Sequence, residues 1–234
     1  MVAEQKTDLS GTSGSGSNRR GGRILVVTAV AAEREAVLRG LQDAGRFDVL
    51  AAGVGPAAAA AGTAAALAAS GYGLVISAGI GGGFTGRAEV GSLVVADEIV
   101  AADLGAETPE GFRSVDELGF GAARIPAAAG LAARLAAALR EAGLAVAVGP
   151  AVTVSTVTGT AETAARLAAR VPGAAAEGME GFGVATAARQ FGLPVLELRA
   201  ISNPVGPRDR AAWRIGEALD ALAAAGAVLQ EVLE

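Results

Sequence analysis

Ala176-Glu177-Gly178-Met179-Glu180-Gly181-Phe182-Gly183 reads as a strand handing over to a helix. The apolar run Ala174 to Ala176 ends here, and a helical pattern runs from about Glu180 to Phe191. Gly178 and Gly181 flank the turn, where the missing side chains let backbone approach a ligand closely. A carboxylate on Glu180, at the head of that helix, is favoured by the positive end of the helix dipole. Held at such a turn it can accept hydrogen bonds from a pair of sugar hydroxyls. It can equally be a helix cap with Met179 filling the core beneath, and spacing alone leaves both open.

The same alternation extends in both directions along the chain. Ile24 to Thr28 is a continuous apolar run of the kind buried on both faces of a sheet, and Ala32 to Ala44 follows as a helix closed by Gly45. Phe47 to Ala52 reads as a second strand. Gly53-Val54-Gly55-Pro56 then turns into an Ala-rich helix from about Ala57 to Ala69. A third strand, Leu74 to Ala78, runs into Gly79 to Gly83, expected as a glycine-rich loop. Gly91 to Val100 and Asp103 to Glu107 are β-rich, and Thr108 to Pro126, lacking a clear period, is expected as a surface excursion. Downstream come a helix from Ala127 to Ala142, a strand from Leu144 to Thr156, and a helix through Arg170 capped by Thr160. A strand from Val195 to Ser202, a loop holding Pro204 and Pro207, and an amphipathic helix from about Arg210 to Leu233 complete the pattern. Strands alternating with helices imply an α/β fold, a three-layer α/β/α sandwich around a mixed, mostly parallel twisted sheet. Residues 1–22 have almost no apolar content and read as a disordered tail, leaving 23–234 as one α/β domain.

Composition removes several classes of function. With 52% hydrophobic residues but only 3% aromatics, the core must be built from Ala, Val and Leu. A net charge of −5 argues against a nucleic-acid surface or an anionic membrane as partner. The chain has no Cys and no His, which excludes disulfides, thiolate metal sites, cysteine nucleophiles and imidazole bases or ligands. Acid–base work falls to carboxylates, Lys, Tyr or a bound water, and neither a metal nor an organic cofactor is expected. The Ala57 to Ala69 run is shorter than the ~20 apolar residues of a membrane span and holds Gly62 and Thr63. The polar start carries no secretory signal, so a cytoplasmic protein is expected.

Three further stretches bear on chemistry. Gly81, Gly83 and Gly86 have GxGxxG spacing, but a strand rather than a helix follows, so dinucleotide binding fails on context. Gly79, Gly81 and Gly82 are instead expected to turn backbone N–H groups toward a ligand. Glu33 lies just past the first strand, where ligands gather in open α/β sheets, and an acid there can activate water. Its bland alternative is a first-turn Glu on a solvated face. Asn203 ends another strand at the same sheet edge, and its bland alternative is an Asx turn before Pro204.

Taken together, Ala29 to Glu33, Gly53-Val54-Gly55, Gly79 to Gly83, Val90-Gly91 with Asp97-Glu98, Met179-Glu180, and Arg199 to Asn203 resemble the nucleoside phosphorylase and hydrolase superfamily over nearly the whole chain from Arg23. Val154 to Thr160, Asp103 to Glu107, and Asn203 to Arg210 with Trp213 look most like a hydrolase branch acting on a 6-oxopurine nucleoside. The resemblance implies that Glu33 activates the attacking water, Met179 packs under the ribose, Glu180 holds its 2′ and 3′ hydroxyls, and residue 203 engages the purine at N7 and its 6-substituent. It also implies a homodimer or higher homo-oligomer, with Leu93 to Leu104 as a candidate contact surface.

Adenine-specific members of the family carry Asp at position 203, whereas an amide can donate to N7 and to a 6-oxo group. Set against a 6-amino group it would oppose donor to donor, at ~1–3 kcal/mol. Related phosphorylases place an Arg just before the glycine stretch to grip phosphate; here Val75-Ile76-Ser77 precedes it, which favours hydrolysis. Thr156 and Thr158, with Arg208 and Arg210, are the candidates for the far end of the substrate. A methylthioadenosine/S-adenosylhomocysteine nucleosidase, a purine nucleoside phosphorylase and a non-catalytic nucleoside-binding module are the competing readings.

Overall fold

The computed structural model describes residues 22–41 and 45–233. The expected tail, and the end of the first helix, lie outside those residues. The chain runs β1 (Arg23–Thr28), α1 (Ala31–Gly40), β2 (Phe47–Ala51), α2 (Pro56–Ala69) and β3 (Tyr72–Gly83). It continues through β4 (Leu93–Ala101), β5 (Gly105–Thr108), β6 (Gly111–Ser114), β7 (Arg124–Pro126), α3 (Ala129–Glu141), β8 (Val146–Thr153) and α4 (Ala161–Arg170). β9 (Ala176–Gly178), α5 (Gly181–Gln190), β10 (Val195–Pro204) and α6 (Ile215–Leu233) complete it.

β1 shows how the layers arise. Successive strand residues face opposite sides of a sheet. Ile24 and Val26 pack with Val37 of α1, Leu135 of α3 and Leu222 of α6. Leu25 and Val27 pack on the other side with Ala59 and Leu67 of α2 and with Val184 and Ala188 of α5. The sheet is therefore covered on both faces, which is why its strands read as unbroken apolar runs. It is mixed and mostly parallel. β1 pairs in parallel with β2 and β3, β3 with β10, β8 with β4 and β9; β4 runs antiparallel to β10 and β7, and β3 to β9.

The pairings do more than make a sandwich. β3, β10, β4, β8 and β9 each pair with the next, and β9 pairs back to β3, so the sheet closes into a ring at one end. Closure requires strands to crowd, and the glycines of β3 permit it. A Cβ on Gly81 would stand 2.6 Å from the Glu177 carbonyl oxygen, and one on Gly83 only 2.2 Å from that of Ala88. Gly79 to Gly83 is thus strand, not the loop expected from its composition.

Two other expectations change. The stretch from 108 to 126 is not featureless, because β6 pairs with β5 in a hairpin and β7 adds to β4. Leu93 to Ala101 lies inside the ring with Leu93, Val94, Val95 and Ala96 buried, so its apolar content serves the core. Asp97, Asp103 and Leu104 are exposed, Leu104 being the one large apolar side chain among them. No helix among the described residues is long and apolar enough to cross a membrane.

Candidate active site

Strand ends place the chemistry. After β1 the chain turns at Ser-free, extended Val30 into α1, and Glu33 in its first turn folds back under the strand end. Its Oε2 accepts from the N–H groups of Ala29 at 2.9 Å and Val30 at 3.3 Å, and its Oε1 accepts from Ile80 N–H at 2.9 Å. The side chain is buried, at 4% exposure. The solvated-face alternative does not hold.

Glu180 occupies the residue before α5, yet its carboxylate does not cap that helix. Oε1 accepts from Gly55 N–H at 3.1 Å, at the head of α2, and Oε2 from Met179 N–H at 3.3 Å. Arg199 Nη1 lies 3.4 Å from Oε2. Carboxylate–guanidinium contacts of this kind fix a side chain strongly when both are buried.

Asn203 follows from β10. Its Oδ1 accepts from the Ser202 hydroxyl at 2.8 Å, and its Nδ2 donates to the Pro204 carbonyl at 2.9 Å. The bond to the Pro204 carbonyl is not an Asx turn, in which Oδ1 would accept from the main chain two residues on, and it leaves one Nδ2 hydrogen for a ligand.

Glu33, Glu180 and Asn203 line one cavity of about 220 Å³. Met179, Gly81 and Gly82 line it too, while Gly79 lies beneath, beside Glu33 and Arg199. The threonines fall otherwise than expected. Thr156 is exposed and Thr158 is buried, its N–H at 3.0 Å and its hydroxyl both given to Glu177, so the residue of this loop that lines the cavity is Val157.

Three residues outside the expected set belong to the site. Glu177 lines it, and burial raises its pKa while the two bonds from Thr158 pull the other way. Trp213 closes one side, with the guanidinium carbons of Arg208 and Arg210 at 5.1 and 5.9 Å from its ring centre. Arg199, 1% exposed, threads between Gly79 and Gly178, where a Cβ would meet its guanidinium at 2.9 and 3.0 Å. Its pKa is raised further still: Glu197 and Glu180 overcome the cost of burial. An acidic and a basic residue alternating in an apolar strand, Glu197 and Arg199, was the sequence signal for this cluster.

A larger cavity of about 710 Å³ lies between the β5–β6 hairpin and α4, where Arg170 stacks on Phe112 at 3.6 Å. It holds none of the strand-end acids. Among the described residues no group of three or more Asp, Glu, His or Cys side chains is arranged to hold a metal ion.

A ring-closed mixed sheet with two acids and an amide at its strand ends defines a nucleoside-processing α/β enzyme, and the chain, which matches the Phosphorylase superfamily over residues 21–234, belongs to that family. Its relatives narrow the placement to the futalosine hydrolases. That of Streptomyces coelicolor is 56% identical over 90% of this chain and 96% of its own, and that of Thermus thermophilus 41% identical over 80% and 82%. Solved structures share the fold. The native futalosine hydrolase of Helicobacter pylori superposes with a TM-score of 0.76 at 19% identity, covering 92% of this chain and 98% of that one. A Helicobacter pylori methylthioadenosine nucleosidase variant with 5′-methylthioadenosine in its active site gives 0.76 at 22% identity, covering 91% and 98%.

Proposed function

We propose that this chain hydrolyses the N-ribosidic bond of futalosine, releasing hypoxanthine and dehypoxanthine futalosine, in the futalosine route of menaquinone biosynthesis. The observation that carries this reading is the convergence of Glu33, Glu180 and Asn203 on one cavity, in a chain whose relatives are futalosine hydrolases.

The bond between C1′ and N9 lengthens first, its electron pair passing to the purine and positive charge growing on the ribose. Glu33 takes a proton from a water whose oxygen bonds to C1′. Glu180 accepts from the 2′ and 3′ hydroxyls, and Met179 packs under the sugar. Asn203 donates its remaining Nδ2 hydrogen to N7 or O6 of the departing hypoxanthine. Donation to both at once requires release of the Pro204 carbonyl. An amide supplies no proton, so the base leaves as an anion stabilised by hydrogen bonds and is protonated by water. A donor placed on developing charge is worth ~2.7–4 kcal/mol in other enzymes.

Trp213, with Arg208 and Arg210 over its ring, offers a stacking surface and positive charge to the benzoate-bearing end of futalosine. In this reading, of the four residues expected at that end, the two arginines keep the role and the threonines do not. The enzyme works as a homo-oligomer in the cytoplasm and needs no cofactor. Free hypoxanthine released from futalosine without phosphate, exceeding base released from inosine and from methylthioadenosine, is the expected result. Strict dependence on phosphate, or preference for methylthioadenosine, would overturn it.

A further inference from the structure

Glu197 and Arg199 leave β10 two residues apart and so share a face of the strand. Both are 1% exposed. Arg199 Nε donates to Glu197 Oε1 at 2.8 Å, and Nη2 donates to Ser77 Oγ at 3.0 Å. Of the three acids around this guanidinium, Glu33 and Glu180 line the cavity and Glu197 does not. Glu197 lies behind the arginine, and its Oε2 has no hydrogen-bond partner among the described residues. That oxygen rests against Gly181, where a Cβ would stand 2.1 Å away. A buried carboxylate with an unsatisfied oxygen costs stability, and the hydrolysis described above makes no use of it.

We infer that Glu197 is a positioning residue for catalysis: it holds Arg199 by Nε and cancels its charge, so that Glu33 and Glu180 keep their full negative field toward the ribosyl cation. The inference rests on the hydrolase reading. A guanidinium does not lose its proton, so without Glu197 its charge would be compensated only by the two acids that face the sugar. It would then oppose the charge that develops as the purine leaves. Burial raises the pKa of Glu197 and Arg199 opposes that rise. The bond from Arg199 Nε at 2.8 Å favours the ionised form of Glu197.

Glu197→Gln preserves shape and an acceptor for Nε while removing the charge. Two ligands of one shape report on it by calorimetry. One is the C-nucleoside of 9-deazahypoxanthine, which cannot be hydrolysed, and the other is the same compound with its ring oxygen replaced by a protonated nitrogen. The variant is expected to lose roughly tenfold or more in affinity for the cationic ligand and under about twofold for the neutral one. Its kcat on futalosine should fall by a similar factor with KM within about twofold. Equal losses for both ligands, or no loss for either, would overturn the inference. If that variant does not fold, Glu197→Asp keeps the negative charge beside Arg199. It should keep the preference for the cationic ligand within about threefold of the parent, and loss of that preference overturns the inference. Neither binding measurement depends on turnover, so failure of this inference, read in the two affinities, is distinguishable from failure of the functional reading, read as no hypoxanthine released from futalosine by the parent protein.

Discussion

Glu33 and Arg199 meet over Gly79: a single carbon added to that glycine would stand 2.7 Å from Glu33 Oε1 and 2.9 Å from Arg199 Nη1. The third strand is bare at this point because an acid from α1 and a base from β10 need the space above it. Gly79 therefore matters to the site, while Gly83 of the same strand matters to ring closure. Gly79→Ala should cut hydrolysis by tenfold or more with little change in Tm, since the contacts displaced are side-chain ends. Gly83→Ala meets backbone at 2.2 Å and should cost ~1–3 kcal/mol, lowering Tm by roughly 3–10 °C. Thermal unfolding alongside an activity assay separates the two.

Glu33→Gln should retain nucleoside binding and lose turnover by roughly 10²–10⁴-fold, the range for removing a general base. Hypoxanthine release at a near-parental rate would remove Glu33 from the role of base.

For Asn203→Asp, kcat/KM on futalosine should drop by roughly ten- to a hundredfold, as the ~1–3 kcal/mol of a mispaired buried group requires. Some gain on methylthioadenosine should accompany it. A base preference unaltered by the change would mean that hydrogen-bond polarity at 203 does not select the purine.

Trp213→Ala, and separately Arg208→Ala with Arg210→Ala, should raise KM for futalosine roughly tenfold, the order of an aromatic contact worth ~1–1.5 kcal/mol. Inosine, which lacks the benzoate, serves as the comparison. Equal weakening for both substrates would place these residues outside recognition of that end.

Much of the fold was legible because buried strands announce themselves as apolar runs, as Ile24 to Thr28 and Val195 to Ser202 do. β3 was cut short at Ala78 because glycine weakens a strand on its own account; only the crowding of Glu177, Ala88 and Arg199 around it makes glycine the residue that fits. The strand-end positions of Glu33, Glu180 and Asn203 were readable from order along the chain, and they do share a cavity. The direction of the Arg199 side chain is not legible, because it sits inside a strand and depends on a sheet closure that no local pattern reports. Nor is that of Thr158, since the loop holding it turns inward onto Glu177, 19 residues away in the sequence.

Every donor that anchors the Glu33 carboxylate is a main-chain group, from Ala29, Val30 and Ile80. No exchange of one amino acid for another deletes these anchors, short of introducing proline. The side chains of Ala29, Val30 and Ile80 are thus free to drift and to explore new nucleosides over evolutionary time, while the water-activating acid keeps its seat.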